Sequence, residues 1–198
     1  VTLREMMEQE VEAMNRIGFP REQNLKAAVL EHGQAYELDR DATAEADQGK
    51  LKECFTNAGH AALFNDDVTY VEGFATSGWG LAVHHAWVVD NETGKAIELT
   101  WRDGGDDCGF CDDGEQELDD TYEAYDEDDE ETWVQTCFYC EGTGKCPHGE
   151  HSTLDDAQYY GIAVDAETLR KIILKRQTWG VLNSQEDLDD ILAARQAA

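Results

Sequence analysis

Basic side chains are scarce. Only 15 Lys and Arg stand against 44 Asp and Glu, for a formal net charge of −29. Contacts to phosphate need Lys and Arg, so this balance argues against a naked nucleic-acid partner and against an anionic membrane surface. A basic protein or peptide, or a high-salt environment, suits the surface better. Long apolar runs are also missing: no stretch approaches the roughly 20 residues needed to cross a bilayer, and Val1 to Glu10 carries no apolar signal segment. A cytoplasmic protein without a membrane partner is expected. There is no Gly-rich phosphate loop and no repeat of solenoid length.

What is present includes enough apolar material for a core, 41% of 198 residues, in one domain with an insertion or in one and a half domains. Charge is placed unevenly. Sixteen acidic residues and no basic ones lie between Asp103 and Glu131, which predicts a solvated, mobile loop over Asp112 to Glu131.

Apolar residues at helical spacing (Leu3, Met6, Met7, Val11, Met14, Ile17) predict a helix over 2–17, stopped by Gly18 and Pro20. A second helix is expected from about Arg21 to Glu31, an irregular polar segment over 35–49, and an Ala-rich helix from Cys54 to Phe64. Strands are expected at Val68–Ala75, Leu81–Val89 and Lys95–Trp101, the last two joined as a hairpin through Asp90–Gly94. The pattern then breaks and resumes with a strand at Tyr159–Val164 and helices at about 166–177 and 185–196. Ser184 and Asp187 stand at capping-box spacing before the last helix. Helices followed by antiparallel strands indicate α+β rather than an alternating βαβ fold.

The cysteines divide five to one. Cys108-Gly-Phe-Cys111 and Cys137-Phe-Tyr-Cys140 are paired CxxC motifs with glycines close behind each, and Cys146 follows them. Tetrahedral zinc takes four thiolates from two such turns, so Cys108, Cys111, Cys137 and Cys140 are expected to hold one Zn2+. With no open coordination position, that zinc is structural. A redox CxxC needs a strand–helix context that is absent here. A zinc deaminase needs HxE upstream of PCxxC, whereas His148-Gly-Glu150 follows the CxxC. Cys146, His148 and His151 read as the tail of the knuckle. The segment Cys137-x-x-Cys140-x-Gly142-x-Gly144 resembles one repeat of the zinc region of DnaJ-type chaperones, a resemblance that implies metal binding alone.

Cys54 stands apart, at the start of a predicted helix, where the dipole and free amides favour a thiolate and can meet an oxyanion. A nucleophilic cysteine needs a base. Alternation on a strand puts His85, Trp87 and Val89 on one face and His84, Ala86 and Val88 on the other. The next strand offers Glu98 to orient an imidazole. Each residue alone has a plainer reading: a lone cysteine is more often a small buried hydrophobe, a His beside Trp a satisfied core residue, and Glu98 a surface acid. Tyr70, Trp87, Trp101 and Tyr160 read as core and groove wall. Together, a helix-borne Cys54, a strand-borne His85 and Glu98 on the next strand predict a catalytic site.

Cys54-Phe-x-Asn57-Ala58, Tyr70-Val-Glu-Gly73, His85-Ala-Trp87, Glu98-x-Thr-Trp101 and Tyr159-Tyr-Gly161 resemble a papain-like (transglutaminase-like) family of uncharacterised proteins from phages and bacteria. The resemblance runs from about residue 50 to 182 and skips the knuckle, with Glu98 standing where that family usually has Asp. It implies a papain-like core at 50–101 and 159–198, an N-terminal helical segment at 1–49, and an inserted acidic zinc knuckle at 102–158. For a phage protein it implies the host cytoplasm. Gln48-Gly49 resembles the oxyanion glutamine of papain. The resemblance implies the fold more than a particular reaction. With Cys54 as nucleophile, His85 as proton shuttle and Glu98 orienting it, the expected function is a papain-like cysteine hydrolase or acyltransferase acting on an amide, isopeptide or thioester of a protein or peptide. The alternative is a non-catalytic zinc-binding adaptor that docks a basic partner.

Overall fold

The computed structural model describes residues 1–20, 24–50, 52–76, 81–101, 115–117, 134–136, 154 and 156–197. Its chain divides into two units, 1–101 with 156–198, and 102–155.

The first unit begins with α1 (Leu3–Arg16), whose Thr2 and Glu5 form a complete capping box. Next come α2 (Leu25–His32), β1 (Gln34–Tyr36), α3 (Arg40–Glu45), α4 (Cys54–Phe64), β2 (Val68–Thr76), β3 (Ala82–Asp90) and β4 (Ala96–Ile97). The second unit contributes β5 (Glu115–Glu117) and β6 (Val134–Thr136). The chain then returns to the first unit for β7 (Gln158–Val164), α5 (Ala166–Arg176) and α6 (Gln185–Ala197).

Five strands form one antiparallel sheet in the order β1-β7-β2-β3-β4. The fold is therefore α+β. The sheet curls until its edges meet. Past β1, Asp39 N donates to Ala96 O and Ala96 N donates to Glu37 O, each at 2.8 Å, so the first strand's extension bridges to β4.

Alternation along the strands gives two apolar faces. The helices cover one. Leu3, Met7, Val29, Ala58, Ala62, Leu169, Ile172, Leu188 and Ile191 pack there on Tyr70, Phe74, Ala86, Val88, Tyr160, Ile162 and Val164. The curl encloses the other face, where Tyr36, Val71, Ala75, Trp87, Val89, Ala96 and Tyr159 form a second cluster. Among the described residues, no helix is long and apolar enough to cross a membrane.

Three expectations need correction. Residues 35–49 are not simply irregular: Tyr36 lies in β1, paired with Tyr159, and α3 follows, capped by Asp39 Oδ1 on Ala42 N at 3.0 Å. The strand expected over Lys95–Trp101 is only Ala96–Ile97. Beyond it, the amides of Thr100 and Trp101 turn onto the Glu98 side chain instead of continuing the ladder. Within the acidic stretch expected as a loop, Glu115–Glu117 pair antiparallel with Val134–Thr136; the remainder of that stretch lies outside the described residues.

Candidate active site

Cys54 is the first residue of α4. The chain reaches it through Lys52, a non-glycine residue at φ 66°, in the left-handed region that L side chains seldom occupy. Glu53 is the N-cap residue but makes no side-chain cap bond, so no side chain of the cap competes for the amides of the first turn. Asn57, one turn on, donates from Nδ2 to Lys50 O and to Thr100 Oγ1, both at 2.8 Å. It thereby ties the segment before Cys54 to the segment after Glu98. Gly49 leaves the room for this, since a Cβ there would lie 2.1 Å from Asn57 Cγ.

His85 lies on β3 and faces into the curl, on the same side as Trp87 and Val89, while Ala86 and Val88 face the helices. Its Nε2 is 2.8 Å from Glu98 Oε2. The Cys54 side chain lies close enough to the ring to favour its protonated form. With Nε2 engaged by the carboxylate, Nδ1 is the nitrogen left for sulfur. Trp101 stacks on the imidazole at 4.1 Å between centroids, with 16° between the planes.

Glu98 is fully buried and accepts from four groups: His85 Nε2, Tyr159 Oη at 3.0 Å, Thr100 N at 2.8 Å and Trp101 N at 3.0 Å. A carboxylate can be buried when its lone pairs are filled in this way. Burial pushes the Glu98 carboxyl up, but the His85 charge and the hydrogen bonds from His85, Trp101 and Thr100 prevail and hold it below its usual range. For His85, burial disfavours the imidazolium. The Glu98 charge and hydrogen bond, with the nearby Cys54 side chain, outweigh burial and push the imidazole from 6.5 up to about 9. At neutral pH, then, His85 is an imidazolium held between a carboxylate and a sulfur. The cluster is closed in, with Cys54 8% exposed and His85 2%.

No protein-family model, curated protein or solved structure matches the chain.

The three residues expected to form a site are thus brought together from a helix, a strand and the turn after β4. Cys108, Cys111, Cys137 and Cys140, with Cys146, His148 and His151, lie outside the described residues. Among the described residues no group of three or more His, Cys, Asp or Glu is arranged to hold a metal.

Gln48 does not act as the resemblance implies. Its Nε2 donates to Thr43 O at 3.0 Å and Glu98 O at 3.2 Å, which uses both amide hydrogens and leaves none for an oxyanion. It is instead a brace for the Glu98 segment. Thr43 completes that brace by accepting from Glu98 N at 3.1 Å.

Sequence reasoning did not assign a role to Tyr159, Thr43, Asn57 or Glu72. Glu72 did carry a signal: a charged residue between Tyr70 and Phe74, on a strand face that is otherwise apolar.

Proposed function

We propose that this protein is a papain-like cysteine hydrolase or acyltransferase acting on an amide, isopeptide or thioester. The observation that carries the reading is the buried His85–Glu98 pair, 2.8 Å apart, with Cys54 at the start of α4 near enough to act on the imidazole. The Cys54 sulfur attacks the substrate carbonyl carbon as a thiolate. The carbonyl π electrons move to oxygen, where amides at the uncapped start of α4 meet the charge. As the tetrahedral intermediate collapses, His85 gives its proton to the leaving nitrogen or sulfur, leaving an acyl-thioester on Cys54. His85 then takes a proton from water or another acceptor as that nucleophile attacks the thioester and releases the thiolate. Glu98 keeps the ring oriented and stabilises its charge.

Iodoacetamide labelling of the full chain, read by peptide mass spectrometry, tests this. Cys54 should label faster than a free cysteine at neutral pH, and His85→Ala should slow it. Slow labelling indifferent to His85 would support the adaptor reading instead, in which an inert core carries a docking site for a basic protein.

We also propose that Cys108, Cys111, Cys137 and Cys140 hold one structural zinc. Besides the paired CxxC spacing, the β5–β6 ladder supports this. Glu115 pairs with Thr136, Cys111 stands four residues before Glu115, and Cys137 directly follows Thr136. The chain therefore enters β5 and leaves β6 at one end of the ladder, next to both motifs in sequence. The donor set, four soft thiolates, suits zinc. Metal analysis should find stoichiometric zinc, lost in Cys137→Ser. Zinc-free protein with an intact fold would sink the proposal.

A further inference from the structure

A second buried carboxylate lies on the helix side of the sheet, and the relay does not use it. Glu72 on β2 has no exposed surface. Its Oε2 accepts from Tyr70 Oη and Val181 N, both at 2.7 Å; its Oε1 accepts from Leu182 N at 3.1 Å and lies 3.0 Å from His84 Nε2. An apolar core of the same shape often does as well for stability as a buried charged network, so the geometry that this network fixes is informative.

Both of its arms reach α4. His84 sets its ring edge-on to Phe55, the residue after Cys54, with 5.0 Å between centroids. On the other arm, the amides of Val181 and Leu182 anchor the segment that carries Trp179. The Trp179 ring lies so close over Gly59 that a Cβ there would be 2.6 Å from it, and it packs on His60 at 4.7 Å. The face of α4 between these contacts is Ala58, Gly59 and Ala62, all buried. Small side chains offer few knobs to stop a helix sliding or turning on a sheet. The cluster is also in electrostatic reach of the nucleophile: the Tyr70 phenol is raised well above its usual range by burial, then by Glu72, with Cys54 also contributing.

We propose that Glu72 is a positioning residue for Cys54, clamping α4 through His84 on Phe55 and through Trp179 on Gly59. This inference rests on the cysteine-hydrolase reading. Glu72→Gln keeps the size but turns an NH2 group toward donors, loosening both arms. His84→Leu removes one arm, whereas His84→Gln retains a donor for Glu72. Gly59→Ala wedges the other arm without touching the relay.

The test is the pH profile of Cys54 labelling by iodoacetamide in the full chain, each variant being measured well below its own unfolding temperature. A misplacement of about 1 Å can cost on the order of 100-fold in reaction rate, so a partial loosening should slow labelling about tenfold. That is expected for Glu72→Gln, His84→Leu and Gly59→Ala, with a shifted or flattened profile, and with His84→Gln recovering most of the rate. A merely structural role would lower the unfolding temperature and leave the folded-state profile unchanged. If Glu72→Gln does not fold, Gly59→Ala and the His84 pair decide. If His85→Ala slows labelling while all the clamp variants label like the wild type, the positioning role is overturned and the relay stands. If His85→Ala has no effect, the hydrolase reading falls and the clamp's role falls with it.

Discussion

Raising the pH should weaken this fold in a window set by His85. Its imidazole stands at about 9 in the folded chain, against 6.5 without the fold. A group whose proton is held more tightly in the folded state adds stability that is fully present below the lower value. That stability is lost as pH rises through the higher one. The difference corresponds to on the order of 3 kcal/mol. Because His85 is 2% exposed, solvent screening removes little of it. His85→Asn isolates the effect, since its amide can still donate to Glu98 but does not titrate. Urea unfolding followed by far-UV circular dichroism should be run on both chains from about pH 5.5 to 10. Subtracting the variant from the wild type cancels the repulsion common to two strongly acidic chains. The difference should be flat below about pH 6.5 and shrink by on the order of 3 kcal/mol by pH 9 to 10, or about ten degrees in Tm for a chain of this size. A difference that stays constant across that window would refute the assignment of the raised group to His85.

Two further substitutions follow from the same geometry. Tyr159→Phe removes one of the four donors to the buried Glu98 carboxylate and should cost about 1–3 kcal/mol in urea unfolding; an unchanged midpoint would mean that this donor is dispensable. Lys52→Gly relieves a left-handed backbone at φ 66° and should leave Tm unchanged or raise it by a few degrees, despite the entropy of glycine in the unfolded chain. A clear fall in Tm would show that the Lys52 side chain is needed there.

Periodicity carried much of this fold because its longer elements obey one period each. The alternation of β3 separates His85 and Trp87 from His84 and Ala86, and the apolar spacing of residues 2–17 is that of α1. What escaped were elements held by single contacts. Gln34 and Ala35 are exposed and β1 has three residues, too few to show a period, so its place is set by β7. The six residues of α3 carry a clear cap in Asp39, but their purpose, the Thr43 and Gln48 brace, depends on Glu98 fifty residues or more away. β4 stops early because a side chain, not a neighbouring strand, collects the next amides. The Gln48 match misled because a two-letter likeness says nothing about which acceptors are already in reach.

A one-residue slip of β3 would exchange His84 and His85 between faces and dismantle both carboxylate clusters, so the register needs a physical anchor. Side chains supply part of it, since each imidazole has its own buried acid on its own face. The row through His85 supplies the rest. His85 pairs with Gly73 on β2, and Gly73 pairs with Gly161 on β7, so two successive strands carry no side chain there. That absence is filled by rings: a Cβ on Gly161 would lie 2.7 Å from the Trp87 ring. At Gly73 the constraint is harder, because a Cβ would meet Tyr160 O at 2.3 Å and Gly161 Cα at 2.4 Å, both on the backbone. No rotamer change relieves such a contact; the strands must separate or slip. Gly73→Ala should therefore cost about 3 kcal/mol or more, at the upper end of overpacking. Gly94→Ala is the control, in open space with φ 71°, and should cost only about 1–2 kcal/mol through its backbone conformation. Thermal unfolding of the two chains side by side measures the gap. If Gly73→Ala melts no lower than Gly94→Ala, the close approach of β2 and β7 does not fix the row on which His85 sits, and the register must be held by the carboxylate clusters alone.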